Sequence, residues 1–259
     1  MTGVQTCALP ICFPVTIGEC FPVTIPTHNE ANSILELLTR LHKVLDLLNK
    51  QCRVNILIVD GGSDDNTVEL VLSYGSEKVK IINEGTKRGI GSAYIQGFKY
   101  GVELNYDYFI QMDADLSHQP EQIPLLLESA NKNTLVIGTR WMDGGSVENW
   151  PYVRRFISKL GTSYASKMLS LRFRDLTSGF RVLPRELVKT LNLESITSRG
   201  YGFQIEIALQ TINLGFQIKE VPITFVERVG GKSKMSLFIV FEAWKMVSTK
   251  ALGRIICRR

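Results

Sequence analysis

Apolar residues follow two alternating rhythms along most of this chain. Short β-type runs occur at Phe21–Ile25, Val54–Val59, Val79–Asn83, Tyr108–Met112 and Leu135–Gly138, each bounded by glycine, proline or small polar residues. Between them the spacing becomes helical. Ile34, Leu37, Leu38, Leu41, Val44, Leu45 and Leu48 mark one face of a first helix, and further helices are predicted toward Tyr74, from Gly89 to about Val102, and from Pro120 onward. Strand and helix thus alternate β-α-β-α-β-α-β-α-β. That order predicts an α/β fold with a mainly parallel, Rossmann-like sheet and helices on both faces. Beyond residue 139 the rhythm changes. Helices are expected from Tyr152 to about Leu169, near Arg185–Leu191 and from the Gly200–Glu206 segment. An alternating strand is expected over Ile218–Val226, and an amphipathic basic helix from about Ser236.

The polar residues cluster where strands end, which is where ligands sit in open α/β sheets. Pro26-Thr27-His28-Asn29-Glu30 follows the first run, with Thr27 and Glu30 three apart as in a capping box. Asp60-Gly61-Gly62-Ser63 follows the second. Its glycines permit a sharp turn, Ser63 or Asp64 is placed to cap the next helix, and Asp60 to accept hydrogen bonds from a base or ribose. After the third run, Lys87-Arg88-Gly89-Ile90-Gly91 opens a helix. Free N–H groups there suit an anion, although Gly89, Ala93, Gly97 and Gly101, four apart, equally suit close helix–sheet packing.

The fourth run leads into Asp113-Ala114-Asp115-Leu116-Ser117-His118-Gln119-Pro120-Glu121. Side chains two apart on a strand point the same way, so Asp113 and Asp115 present two hard oxygen ligands together. Such a pair suits Mg²⁺ or Mn²⁺ shared with a diphosphate; the alternative is an acidic turn capping the next helix.

Charge sharpens this reading. Residues 1–133 carry 10 Lys+Arg against 16 Asp+Glu, whereas residues 134–259 carry 20 against 9. An acidic front joined to a basic back fits a cation-binding part beside an anion-seeking part. The basic half shows no regular basic–aromatic stripe, so nucleic acid is not an expected partner. The five cysteines (Cys7, Cys12, Cys20, Cys52, Cys257) lack zinc-type spacing and form no disulfide framework, which fits a reducing cytosol. No apolar run reaches the ~18–20 residues of a membrane span; Leu237–Val247 is interrupted by Glu242 and Lys245.

Cys12–Ile17 recurs as Cys20–Ile25, and the residues before it read like a translated sequencing adapter, so residues 1–19 are expected to be an artefact of cloning or assembly. The expected organisation is then one domain over residues 20–235, with an acidic half (20–133) and a basic half (134–235), followed by the basic helix of residues 236–259.

In order along the chain stand Pro26–Glu30, Asp60–Ser63, Gly89–Gly91, Asp113–His118, Gly138-Thr139-Arg140, Asp175-Leu176-Thr177-Ser178-Gly179-Phe180-Arg181, and Arg228 with Lys232-Ser233-Lys234. With this set the chain resembles glycosyltransferase family 2, and within it the dolichol-phosphate or polyprenol-phosphate mannose synthases without transmembrane segments. The resemblance runs from about Phe21 to Ser236. It implies a GT-A fold with a nucleotide-sugar half (residues 20–133) and an acceptor half (134–235), an inverting transfer of mannose from GDP-mannose to a polyprenyl phosphate in a membrane, and a divalent cation, Mg²⁺ or Mn²⁺.

By position, Pro26, Thr27, Glu30, Asp60 and Arg88 would line the guanosine end of the donor, and Asp113, Ala114 and Asp115 its diphosphate. Asp113 and Asp115 would hold the metal, with Ser117 at a further ligand position. Arg140, Arg154, Ser158, Arg228 and Lys234 would grip the lipid phosphate, and Asp115, Arg140 and Arg154 would carry the chemistry. His28 and Gly61 depart from the usual Tyr and Asp, which leaves the nucleotide base open. UDP-glucose or another donor on the same scaffold, and a non-catalytic sugar-nucleotide-binding subunit, remain alternatives. The resemblance also implies peripheral attachment to the cytoplasmic face of a membrane, with room for a membrane-anchored partner subunit.

Overall fold

The computed structural model describes residues 21–48, 54–196, 198, 200–228, 245 and 247–249. The N-terminal segment, all five cysteines, Lys234 with its basic loop, and most of the C-terminal helix lie outside the described residues.

The expected parallel order is present. Strands β1 (Phe21–Thr27), β2 (Val54–Asp60), β3 (Val79–Asn83) and β4 (Tyr108–Gln111) are parallel neighbours, in the order β3-β2-β1-β4. Strand β5 (Thr134–Thr139) pairs in parallel with β8 (Gln217–Pro222) on the far side. Between β4 and β5 lies a strand the sequence pattern did not predict, β7 (Arg181–Pro184), antiparallel to both. The run Ile218–Val226, expected as one strand, is divided: β9 (Thr224–Val226) leaves the main sheet to pair with the short β6 (Ser146–Glu148).

Alternation across the pleat sorts the core into two layers. Ile110, Val136 and Val182 face the helices α1 (Ile34–Leu48), α2 (Thr67–Ser73) and α4 (Ile123–Leu127). Their neighbours Phe109, Leu135, Ile137 and Leu183 face α3 (Ile90–Glu103), α6 (Arg185–Thr190) and α7 (Tyr201–Asn213). The small-residue row on α3 is a packing face. A Cβ on Gly97 would stand 2.4 Å from Thr24 Cγ2, and one on Gly101 2.4 Å from Phe109 Cε1, so the helix lies directly on β1 and β4.

Two local expectations are corrected. Thr27 and Glu30 form no capping box, because Thr27 is still in β1 and α1 starts only at Ile34, after a turn in which the Glu30 carbonyl accepts from Ser33 and Ile34 N–H. Neither Ser63 nor Asp64 caps α2. Its N-cap position is Asn66, and Asp65 accepts from Thr67 N–H instead.

One helix packs differently from the others. Helix α5 (Tyr152–Met168) buries only Thr162, Ala165 and Ser166. The end of the chain meets it there: Val247 joins Ala165, Leu169, Leu176 and Ala208 in a small cluster, and Tyr164 and Ser248 hydroxyls lie 2.8 Å apart.

Candidate active site

The carboxyl ends of β1, β2, β3 and β4 converge, and each carries one of the polar loops. Asp60 closes β2 and is fully buried. Its Oδ1 accepts from Thr27 Oγ1 (2.8 Å) and Ser63 Oγ (2.6 Å), and its Oδ2 from Ser63 N–H (2.8 Å). The carboxylate expected to meet a nucleotide thus ties the β1 and β2 loops together. Around it Asn29 N–H donates to Ser63 Oγ, Asp64 N–H donates to Asn29 Oδ1 and Glu30 N–H to Thr67 Oγ1. Gly62, at φ 72°, sits against the loop after β3, where a Cβ would be 2.7 Å from the Gly85 carbonyl oxygen. Pro26 is half-buried beside Val59. Arg88 is exposed, and it lines an open groove of about 610 Å³ along α3 with Ser92, Lys99, Tyr100 and Ile196.

The acidic turn follows β4. Met112 N–H still bonds to Thr24 O in the sheet, whereas Asp113 N–H turns to His118 Nδ1 at 3.2 Å. Leu116, at φ 61°, bends the chain back. Burial first, and then the charge of Asp115, raise the Asp113 carboxyl above the ordinary range. Tyr94 Oη on α3 donates to Asp113 Oδ1 at 3.4 Å; burial, reinforced by Asp113, holds its pKa well above 10. His118 is 1% exposed, and burial lowers its pKa, so the ring is neutral. Asp115 Oδ1 accepts from Ser117 Oγ (2.5 Å) and Ser117 N–H (3.1 Å). Ser117 is buried, and its hydroxyl donates to Asp115 beside the ligand position expected of it, with the oxygen's lone pairs left over. Ala114 is buried in the core.

From Asp115 a chain of contacts leads into the basic half. Arg228 Nη2 lies 3.1 Å from Asp115 Oδ2. The preceding residue, Glu227, pairs with Arg154. The Arg154 guanidinium stands 4.0 Å over the Trp150 ring, which meets Phe225 edge-on. Behind these lies Arg140, 7% exposed, which faces Trp150 and Phe225 at 5.6 and 5.1 Å. Arg140 Nε and Nη2 donate to the two oxygens of buried Asp175 at 2.6 and 2.8 Å. The structure therefore places Arg140 in a buried bidentate pair, where an open phosphate grip was expected. Ser158 is half-buried, one helical turn beyond Arg154 on α5.

Sequence reasoning missed three participants. Arg181, fully buried in β7, donates to the carbonyls of Ser178, Gln204 and Leu176 and so fixes the Asp175–Arg181 loop; burial lowers its pKa to about 9, which leaves it charged at neutral pH. Gly179 in that loop lies against Asp113, where a Cβ would be 3.4 Å from Oδ1. On α5, Tyr152, Val153, Phe156, Ile157 and Leu160 form an exposed apolar stripe, from 49 to 87% exposed. Its helical spacing was visible in the sequence, but not which way it faces. Among the described residues no helix is long and apolar enough to cross a membrane.

Comparison with known proteins places the chain in a family. The family described as glycosyl transferase family 2 matches residues 23–191. An undecaprenyl-phosphate mannosyltransferase of Micrococcus luteus is 43% identical over 221 residues, 85% of this chain and 88% of the relative. A polyprenol monophosphomannose synthase of Mycolicibacterium smegmatis is 38% identical over 90% of this chain and 88% of its own. A dolichol-phosphate mannosyltransferase of Pyrococcus furiosus is also 38% identical, over 85% of this chain and 60% of its own. Among solved structures, glucosyl-3-phosphoglycerate synthase of Mycobacterium tuberculosis with Mn²⁺, UDP and phosphoglyceric acid superimposes with a TM-score of 0.66 at 16% identity, covering 90% of this chain and 78% of that one. The mixed, mostly parallel sheet with its helices is that of a GT-A fold, and the chain belongs to glycosyl transferase family 2 as a glycosyltransferase.

Proposed function

We propose that this enzyme transfers mannose from GDP-mannose to a polyprenyl phosphate, with inversion at the anomeric carbon. The observation that carries the reading is the contact chain from Asp115 through Arg228, Glu227 and Arg154 to α5. It joins a carboxylate pair to a cluster of arginines beside an exposed apolar stripe, and a phosphate on a long apolar tail needs both of the latter. Relatives named for mannosyl transfer to polyprenyl phosphates support it over most of the chain's length.

The residues present fit a divalent cation shared with a diphosphate. The donor set is two hard carboxylates, and Arg228 already stands as a cation on Asp115. Burial, with the nearby Asp115 charge added to it, raises the Asp113 carboxyl, and a bound cation would favour its charged form. Among the described residues no cluster of three His, Cys, Asp or Glu forms a complete cage; Mg²⁺ is commonly held by one or two carboxylates plus substrate phosphates. Asp113 and Asp115 would hold the ion, which offsets charge on the departing diphosphate when bound.

The protein's own residues do the rest. The loops tied through Asp60 and Thr27, with Pro26, Glu30 and Arg88, form the nucleoside end. Arg154, Ser158 and Arg228 orient the acceptor phosphate, while buried Arg140 contributes charge from behind. Such a phosphate monoester has a second pKa of ~6 and is largely dianionic at pH 7. Its oxygen attacks the anomeric carbon as the bond to the diphosphate breaks and that electron pair leaves with GDP. No proton has to move, so no general base is required. The α5 stripe, flanked by Arg155 and Lys159, would rest on the membrane surface that holds the acceptor, on its cytoplasmic side.

The test is product analysis with GDP-mannose, Mg²⁺ and a short polyprenyl phosphate, with UDP-glucose as competitor. A β-linked polyprenyl-phosphate mannose unaffected by UDP-glucose is expected. Transfer from UDP-glucose alone overturns the donor assignment, and an α-linked product overturns inversion.

A further inference from the structure

His118 has no part in the proposed reaction, yet it is buried in the acidic turn and held there by aromatic and backbone contacts. Its ring stacks on Phe180 with centroids 5.1 Å apart and planes at 20°, and meets Phe225 edge-on at 5.4 Å. The backbones of His118 and Phe225 also form an isolated antiparallel bridge. The imidazole is therefore fixed on two sides by residues of the back half, Phe180 from the Asp175–Arg181 loop and Phe225 from strand β9. In that slot Nδ1 accepts the Asp113 N–H, the first backbone donor to leave the sheet after Met112. Its proton must then sit on Nε2. A histidine kept only for packing would need the aromatic contacts and not an acceptor at the δ position.

We propose that His118 is a positioning residue for the divalent cation: its Nδ1, fixed by Phe180 and Phe225, sets the Met112–Asp113 peptide and thereby the direction in which Asp113 presents its carboxylate. The inference rests on Asp113 being a metal ligand. It makes the second layer of the site a backbone hydrogen bond from the ligand's own peptide, with Tyr94 steadying the side chain at Oδ1. Groups that orient ligands in this way typically change metal affinity by 10–100-fold when lost.

The test measures Mn²⁺ affinity by electron paramagnetic resonance of free Mn²⁺, with GDP present and no turnover. The variants are His118→Phe, His118→Asn, His118→Gln and Asp113→Asn. His118→Phe keeps an aromatic ring in the slot but loses the acceptor; about tenfold weaker Mn²⁺ binding is expected. Asparagine restores an acceptor at the δ position and glutamine shifts it one bond outward, so Asn should bind Mn²⁺ clearly better than Gln. Unchanged affinity in His118→Phe, or equal affinity in the Asn and Gln variants, overturns the proposal. The Asn–Gln comparison decides the matter even if the Phe variant does not fold. Asp113→Asn separates the two levels. If it leaves Mn²⁺ affinity unchanged, the metal reading itself fails; if it weakens Mn²⁺ while His118→Phe does not, only the positioning role fails.

Discussion

The proposed donor half and the proposed acceptor half hold their loops by different means. Around Asp60 the loops are joined by short hydrogen bonds from hydroxyls and backbone N–H groups, with Thr27, Ser63, Asn29 and Thr67 as the links. In the acceptor half the links are ion pairs: Arg140 with Asp175, Arg154 with Glu227, Arg228 with Asp115. The first kind fixes a shape before any ligand arrives. The second stores positive charge: buried Asp175 locks Arg140 in place, while Arg154 and Arg228 sit on less buried carboxylates for which an incoming anion can compete. A site that must recognise a defined nucleotide and then accept a variable lipid phosphate gains from this division.

The contrast can be broken most severely at Asp115. Asp115→Ala removes a proposed metal ligand and the counterion of Arg228 together; a fall in kcat/KM of about 100-fold or more is expected with GDP-mannose and a short polyprenyl phosphate. Next comes Asp175→Ala, which leaves Arg140 buried without its bidentate partner. Breaking a buried pair on one side costs about 3–5 kcal/mol, so urea denaturation should show a large loss of stability. The donor half should respond more mildly. Thr27→Val leaves one Asp60 oxygen short of a neutral donor, a loss of about 1–3 kcal/mol by the same measurement. If Thr27→Val costs as much as Asp175→Ala, the distinction between the halves collapses.

A fourth change addresses α5. Replacing Phe156 and Leu160 by Ser removes apolar side chains worth about 1.5–3 kcal/mol each when fully buried. Sedimentation with anionic vesicles should fall by at least about tenfold, while turnover of a water-soluble short-chain acceptor persists. Retained vesicle binding would mean that the stripe covers something else.

The smallest effects are two opposed pH dependences. Arg40 lowers the Glu121 carboxyl, principally by its hydrogen bond. This group contributes stability above the unfolded value of 4.5, and the contribution is lost as pH falls through the lowered folded value. Burial raises Glu220, in spite of the N–H groups of Arg174 and Asp175 that it accepts. Its contribution is complete below 4.5 and is lost as pH rises through the raised value. Against wild type, Glu121→Gln should therefore lose stability at neutral pH and Glu220→Gln should not. The exposed Arg40 pair is worth no more than about 1 kcal/mol.

Much of the scaffold was written in local patterns. The α1 stripe, the first four strands and the glycine row of α3 depend on spacing alone, and the structure has them where spacing put them. Strand β7 was not legible, because Arg181 reads as a surface residue. Only donation to three carbonyls, one from α7 more than twenty residues away, makes its burial tolerable. The buried pairing of Arg140 was hidden for a related reason: its partner Asp175 lies 35 residues on, and an arginine near a basic cluster looks the same whether paired or open. The α5 stripe shows a third kind of limit. Periodicity reveals that a helix has an apolar face, but only the packing of the rest shows that nothing among the described residues covers it.

The Arg228–Asp115 contact has a thermodynamic consequence. One carboxylate oxygen serves as counterion to a group that reaches the acceptor side, so any cation that claims it must first displace the guanidinium. The displaced Arg228 is then available to an anion it could not previously hold. Linkage is reciprocal, so an anion that draws Arg228 away must raise the affinity of Asp115 for the cation by the same factor. Through that 3.1 Å contact a cation at Asp115 and an anion at Arg228 would become heterotropic effectors of one another.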